Sequence, residues 1–327
     1  MKNQVTIIMY HYVRDLKNSR YLEIKGLDAR LFREQLKYIL KYYTVIRMQE
    51  LSEAIKNKKK LPDNSLLLTF DDGYKDHFEF VFPILDELGI QGSFFPPAKA
   101  ILEDQVLDVN KIHFILASVK DKAGIISNIY AMLGRFRKEY TLASNAHYYR
   151  KLALSGRFDT KEVIFIKRIL QRELPEKLRK IIVNYLFDKY VSKDEKAFSR
   201  ELYMSIDQMK CMLRKGMYIG SHGYDHYWLN TLSKEKQRRE IKLSLKFLKR
   251  LGADTKDWVI SYPYGAYDES LLALLKKYGC SVGLTTQVNI ADLNKQQPLV
   301  LPRLDTNDLP KENKARANKW TLKVTNA

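Results

Sequence analysis

"SLLLTFDDGY", residues 65–74, poses the question that decides the fold. A run of apolar and β-forming residues reads as a buried strand, yet it ends in two adjacent carboxylates, Asp71 and Asp72, followed by Gly73. A turn would use Asp and Gly equally well. The surroundings favour more than a turn. Strand candidates at 5–13, 43–48, 65–70, 92–97, 217–222, 258–264, 281–286 and 299–304 alternate with helical patterns at 28–42, 49–57, 77–88, 205–215, 233–250 and 268–278. Such alternation is the signature of βα units and a parallel sheet. The expected fold is α/β, a distorted (β/α) barrel of seven or eight strands, closed or nearly so. Barrels of this kind keep their chemistry at the C-terminal ends of the strands, which is where Asp71 and Asp72 fall.

One block breaks the alternation. From 103 to 203 the periodicity is helical only, which predicts a helical insertion between the fourth and fifth strand candidates. It could cover the site as a lid, hold a partner or extend the core. The expected division is therefore a barrel over 1–102 and 204–310, an insertion over 103–203, and a basic C-terminal tail over 311–327, either loose or a final surface turn.

The chain has 327 residues, 45% of them hydrophobic, enough for a large core. Its N-terminus lacks both a signal-peptide pattern and a membrane-length apolar run. The expectation is a cytoplasmic protein, peripheral at most to the inner membrane face. Two cysteines, Cys211 and Cys280, give neither a disulfide framework nor paired zinc-ligand spacing. The net charge of +19 favours anionic partners. No nucleic-acid-binding motif accompanies it. A substrate carrying phosphate or lipid, or contact with an anionic membrane surface, fits the charge better.

"SHGYDH", residues 221–226, sets His222 and His226 four apart at another strand end. With a strand-end carboxylate, two imidazoles hold a divalent ion and leave a coordination position open for water.

These residues carry a family resemblance. "TFDDGY" (69–74), "SHGYDH" with "LNTLSKEKQRREI" (229–241) and "SYPYGAYD" (261–268) resemble, in order, three motifs of the polysaccharide deacetylases, carbohydrate esterase family 4. "MYHYV" (9–13) resembles the branch that includes poly-N-acetylglucosamine deacetylases. The match covers roughly 1–100 and 205–305. The resemblance implies a metal-dependent hydrolase that removes N-acetyl groups from acetamido sugars. It implies Asp72, His222 and His226 as ligands of a divalent metal, Zn2+ foremost, with Co2+ or Ni2+ as alternatives. Asp71 becomes the general base that takes a proton from the attacking water, and the backbone N–H of Tyr264 the oxyanion donor. Aromatic residues near the motifs, Tyr264, Tyr267 and Trp228, are candidates for stacking on a sugar.

The sequence departs from the family pattern in three places. Ser261 stands where an Arg commonly orients the catalytic Asp, "LPR" (301–303) where an L-x-H motif supplies the general acid, and Gly223 where Ser or Thr is common. His11, at the end of the first strand, is the candidate replacement acid, and Arg303 the candidate for orienting Asp71. His77, just beyond Gly73, reads as a packing or capping residue, and His113 and His147 as structural. Two other functions stay open: an inactive barrel that binds a glycan or partner, and a hydrolase of a non-sugar amide.

Overall fold

The computed structural model describes residues 3–154, 156 and 159–325. These fall into two compact units, one made of residues up to 15 with 26–104 and 199 onward, the other of 16–25 and 105–198.

The first unit is a parallel barrel. Its staves are β1 (Gln4–Tyr10), β2 (Ser65–Asp71), β3 (Ser93–Phe95), β4 (Tyr218–Ile219), β5 (Trp258–Ser261), β6 (Cys280–Leu284) and β7 (Leu304–Asp305). Parallel ladders join β1 to β2, β2 to β3, β3 to β4, β5 to β6 and β7 to β1. Single parallel bridges, Ser221 to Ile260 and Leu284 to Leu301, complete the circle, so the ring is closed but thin at two joints. Its helices include α1 (Ala29–Tyr42), α2 (Met48–Asn57), α3 (Phe82–Glu87), α4 (Ile206–Arg214), α5 (Lys234–Leu251) and α6 (Glu269–Lys277).

Strand parity sorts the core. Val5, Ile7, Leu67, Phe95, Val259, Val282 and Leu301 share one apolar cluster with Met48 and Leu51 of α2. Ile8, Tyr10, Leu66, Leu68, Phe70, Phe94 and Leu304 belong to a second cluster, with residues of the surrounding helices. All seven residues of β2 are buried, which is why this strand reads as an unbroken apolar run.

Several expectations change. The strand over 43–48 shrinks to Thr44–Val45, paired with the start of β2, because Arg47 already begins α2. The ring therefore has seven staves, and the insertion follows the third. The first strand stops at Tyr10, and Val13–Arg14 pairs instead with Leu27–Asp28. The helix over 77–88 opens as a π turn at His77–Val81, with Phe82 N–H reaching back to the His77 carbonyl, before Pro83 leads into α3. An antiparallel strand, Ala291–Asp292, adds to β1 outside the pattern.

The tail is not loose. Residues Lys319–Val324 form a helix, α7, that buries Trp320 and Thr321. The Thr321 hydroxyl lies 2.7 Å from the Tyr38 hydroxyl and accepts from the Tyr43 hydroxyl at 3.0 Å. Residues 326 and 327 of the tail lie outside the described residues.

The second unit is helical throughout its longer segment and has its own core, including Ile112, Ile129, Phe165, Ile182 and Leu186, all fully buried. A buried cation serves it: Lys111 pairs with Glu195 at 2.8 Å and donates to Asn184 at 2.7 Å. Residues 16–25 join this unit, which the division at 103–203 did not anticipate. His113 and His147 lie here. Among the described residues, no helix is long and apolar enough to cross a membrane.

Candidate active site

The site grows from the end of β2. Successive side chains along a strand point to opposite faces, so Asp71 continues the row of Leu67 and Thr69, whereas Asp72 leaves the strand with φ of 71°. Gly73 follows at φ +66°, and a Cβ there would meet Pro96 at 2.7 Å, so glycine lets the chain turn beneath the loop after β3.

Asp71 is held by Arg303. The guanidinium donates to its two oxygens at 3.1 and 2.8 Å, to the Thr69 hydroxyl at 3.1 Å and to the Thr285 carbonyl at 2.9 Å. Arg303 lies between Leu301, which bridges to Leu284, and β7, and its own N–H donates to the Gln287 carbonyl at 2.9 Å. Burial pushes the Asp71 carboxyl up, but Arg303, then His222 and His11, outweigh it and keep the group below the ordinary carboxylate range.

Asp72, His222 and His226 converge. Their potential ligand atoms all lie within 4.8 Å of one another, and all three residues are buried. The Nε2 atoms of both histidines stand 3.3 Å from the same Asp72 oxygen, Oδ1. His222 Nδ1 lies 2.7 Å from the Ser261 carbonyl, which can only accept, so a proton sits on Nδ1 and Nε2 is the atom turned to the carboxylate. Burial pushes this imidazole down, but Asp71 and Asp72 outweigh it and hold it above its ordinary value. Asp72 Oδ1 has no hydrogen-bond donor. Its other oxygen accepts from the Tyr74 hydroxyl at 2.5 Å.

Two imidazole nitrogens and a carboxylate oxygen gathered in a buried place make a ligand set for a cation. Two ligand atoms each about 2.1 Å from one ion, at a tetrahedral angle, stand about 3.4 Å apart, close to the 3.3 Å seen here. The residues fit a divalent ion. Burial opposes charge on Asp72, yet His222 and His226 hold its carboxyl far below the ordinary value. Burial pushes the His226 imidazole down, keeping it neutral and able to ligate.

The loop carrying both histidines is fastened from several sides. The buried Glu240 carboxylate of α5 accepts the backbone N–H groups of Tyr224 and Asp225 at 2.9 and 3.0 Å. Lys99 pairs with Asp225 at 2.6 Å, and its own N–H donates to the Tyr224 carbonyl. Gly223 sits at φ +74°, so its departure from Ser or Thr has a backbone reason. The Ser221 hydroxyl accepts the Gly223 N–H at 3.2 Å, supplying a nearby brace. Glu240 was not recognised from sequence: a carboxylate that receives backbone N–H groups leaves no pattern beyond an ordinary helical Glu.

The other candidates divide. His11 follows β1, is half-buried, and helps to hold both Asp71 and Asp72 below the ordinary range. Its carbonyl lies 2.7 Å from Nε2 of His77, which is fully buried among Phe70, Tyr74 and Phe94. His77 thus packs and holds the backbone of His11. Tyr264 has φ of 58° in a turn closed by Gly265 N–H on Tyr262 O and Ala266 N–H on Pro263 O. Its ring stacks on Trp228 at 4.4 Å and meets His226 edge-on at 4.8 Å. Tyr267 is set apart: its ring neighbour is Tyr262 at 5.4 Å, and nothing among the described residues ties it to the three ligands.

The comparisons with known proteins agree with this geometry. The family model described as polysaccharide deacetylase matches residues 58–113 and 184–283. The Bacillus subtilis (strain 168) protein YxkH, provisionally named a polysaccharide deacetylase, is 33% identical over 29% of this chain and 34% of its own length. The poly-β-1,6-N-acetyl-D-glucosamine N-deacetylase of Escherichia coli (strain K12) is 32% identical over 25% of this chain and 12% of its own. The matches thus span about a third or less of these relatives. Among solved structures, the Streptococcus pyogenes deacetylase PplD in complex with acetate shares the fold at a TM-score of 0.59, with 17% identity over 99% of both chains. Motif order and family match together mark residues 58–113 and 184–283 as similar to the polysaccharide deacetylase domain.

Proposed function

We propose that this chain is a metal-dependent hydrolase that removes the N-acetyl group from an acetamido sugar within a glycan. One observation carries the reading: two imidazole nitrogens and a carboxylate oxygen converge within 4.8 Å in a buried place, one residue away from a second carboxylate clamped by a buried arginine. A binding module needs neither arrangement. The relatives' names supply the substrate class, and N-acetylglucosamine polymers are the first to test. Zn2+ suits the two imidazoles and one carboxylate, with Co2+ or Ni2+ as alternatives.

The chain's own residues divide the work. Asp72, His222 and His226 would hold the ion, which when bound supplies Lewis acidity toward water and the amide carbonyl. Asp71, kept ionised by Arg303, accepts the proton of the attacking water as its oxygen bonds to the acetyl carbon. The backbone N–H of Tyr264 donates to the oxygen that gains charge. His11 gives a proton to the departing nitrogen as the C–N bond breaks, releasing acetate and a free amino sugar. The stacked rings of Trp228 and Tyr264 form an apolar wall beside His226 for the sugar.

The test is acetate release from N-acetylglucosamine oligomers by the zinc-loaded protein beside Asp71→Asn and His222→Ala. Release by the parent and loss in both variants supports the reading. Metal binding without acetate release from any acetamido sugar would overturn the substrate class, and absence of metal binding would overturn the site.

A further inference from the structure

The outer face of α5 is a cationic surface that the chemistry at the barrel end does not use. The helix carries eight Lys and Arg side chains between Lys234 and Arg250, all exposed. None of them enters an ion pair among the described residues. At 100° per residue they spread over an arc of about 200°. Residues such as Gln237, Ile241, Ser244 and Leu248 fill the buried arc. Against the eight cations the helix exposes one carboxylate, Glu235, because Glu240 is turned inward to the histidine loop. The flanking α4 and α6 add exposed Arg214, Lys276 and Lys277 against Asp207 and Glu269. Eighteen residues make this stripe about 27 Å long.

We infer that this face docks the protein on an anionic lipid surface, independently of the reaction proposed at the barrel end. The charge selects an anionic partner, and the shape selects its kind. A single helix presents a convex ridge with no groove, and no large apolar or aromatic side chain of 234–251 is exposed. Bases or sugars therefore find nothing there on which to stack, whereas a bilayer of acidic headgroups needs only closely spaced cations. With no exposed apolar anchor, the attachment is electrostatic and reversible by salt. The stripe begins directly after the histidine loop, so docking would hold the barrel mouth near substrate presented at the same surface.

The test is sedimentation with phosphatidylcholine vesicles, with and without about a third phosphatidylglycerol. A helix variant combines Arg238→Gln, Arg239→Gln, Lys242→Gln and Lys246→Gln. A control combines Lys56→Gln, Lys58→Gln, Lys59→Gln and Lys60→Gln, removing the same charge from another surface. Glutamine keeps helix propensity, and equal melting temperatures establish that both variants fold. A milder pair, Lys242→Gln with Lys246→Gln, guards against loss of the fourfold variant. Each cation beside an anionic bilayer raises partitioning about fivefold. The parent and the control should pellet with acidic vesicles at low salt and leave them near 0.5 M salt, where screening is within about 4 Å. The helix variant should bind about 600-fold less, and the pair about 25-fold less. Absence of binding by the parent, or equal loss in helix variant and control, overturns the inference. Helix-dependent binding to a soluble polyanion such as heparin, without binding to vesicles, overturns it in favour of an acidic polymer.

Discussion

Asp72, His226 and Tyr264 all have positive φ, at 71°, 52° and 58°. Non-glycine residues held there cost of order 1–3 kcal/mol each, a strain the surrounding bonds must sustain to aim Asp72 and His226, two candidate ligands, and to set the turn at Tyr264. Arg303 has the plainest task. Its replacement in Arg303→Met leaves Asp71 buried without a partner, so turnover is expected to fall by about 10²-fold or more while zinc content stays near one per chain. Because Arg303 is what outweighs burial, the variant's Asp71 pKa rises and the acid limb of its pH–rate profile moves to higher pH; an unmoved limb would count against the clamp. His77 offers a stability test. Burial pushes its imidazole down to about 4, against an ordinary value near 6.5. Below about pH 6.5 the unfolded chain therefore takes up a proton that the fold refuses. Stability is full above that pH and declines by about 1.4 kcal/mol per unit toward pH 4. His77→Gln keeps a donor for the His11 carbonyl but cannot titrate. Urea unfolding should show it losing about 2–3 kcal/mol less than the parent between pH 7 and 4.5. The paired acids and the two histidines stand out in the sequence by their place at strand ends and their motif spacing, whereas Arg303 enters only as a candidate for the Arg that the family pattern lacks here. Glu240 does not stand out, since its partners, the backbone N–H groups of Tyr224 and Asp225, leave no side-chain pattern in the sequence.

At the scale of elements, the loop from His222 to His226 depends on α5. Glu240→Ala should weaken zinc affinity by about 10- to 100-fold, as loss of outer-shell partners does, and Glu240→Gln, which keeps an acceptor oxygen, should restore most of it. Competition with a chelator reads both; equal affinity in the alanine variant would remove Glu240 from the site's support. The staves were legible wherever apolar runs met a helical pattern on each side. Residues 43–48 misled because a β-like run there is cut short by the start of α2. The tail misled because its docking rests on few side chains, chiefly Trp320 and Thr321, within polar, basic surroundings. Thr321→Val removes the partner of two buried tyrosine hydroxyls, and chemical denaturation should register a loss of about 1–3 kcal/mol.

At the scale of the whole molecule, two units with separate cores need not melt together. Zinc bound to Asp72, His222 and His226 touches the barrel unit alone, so calorimetry should show added zinc raising the barrel's transition. A second transition, if separate, should stay where it was. Composition announced the helical block but could not show that residues 16–25 belong with it, because that membership rests on contacts far apart in sequence. The closing of the ring bears on how such a protein changes over generations. Arg303 reaches from the approach to β7 to the ends of β2 and β6, beside the single bridge at Leu284 and Leu301. The clamp on the acid is therefore also a rivet in one of the two thin seams of the barrel. A descendant relieved of selection for turnover would still be selected to keep Arg303 and Asp71 for folding. In such a lineage the candidate ligands Asp72, His222 and His226, not this pair, would be the first to drift.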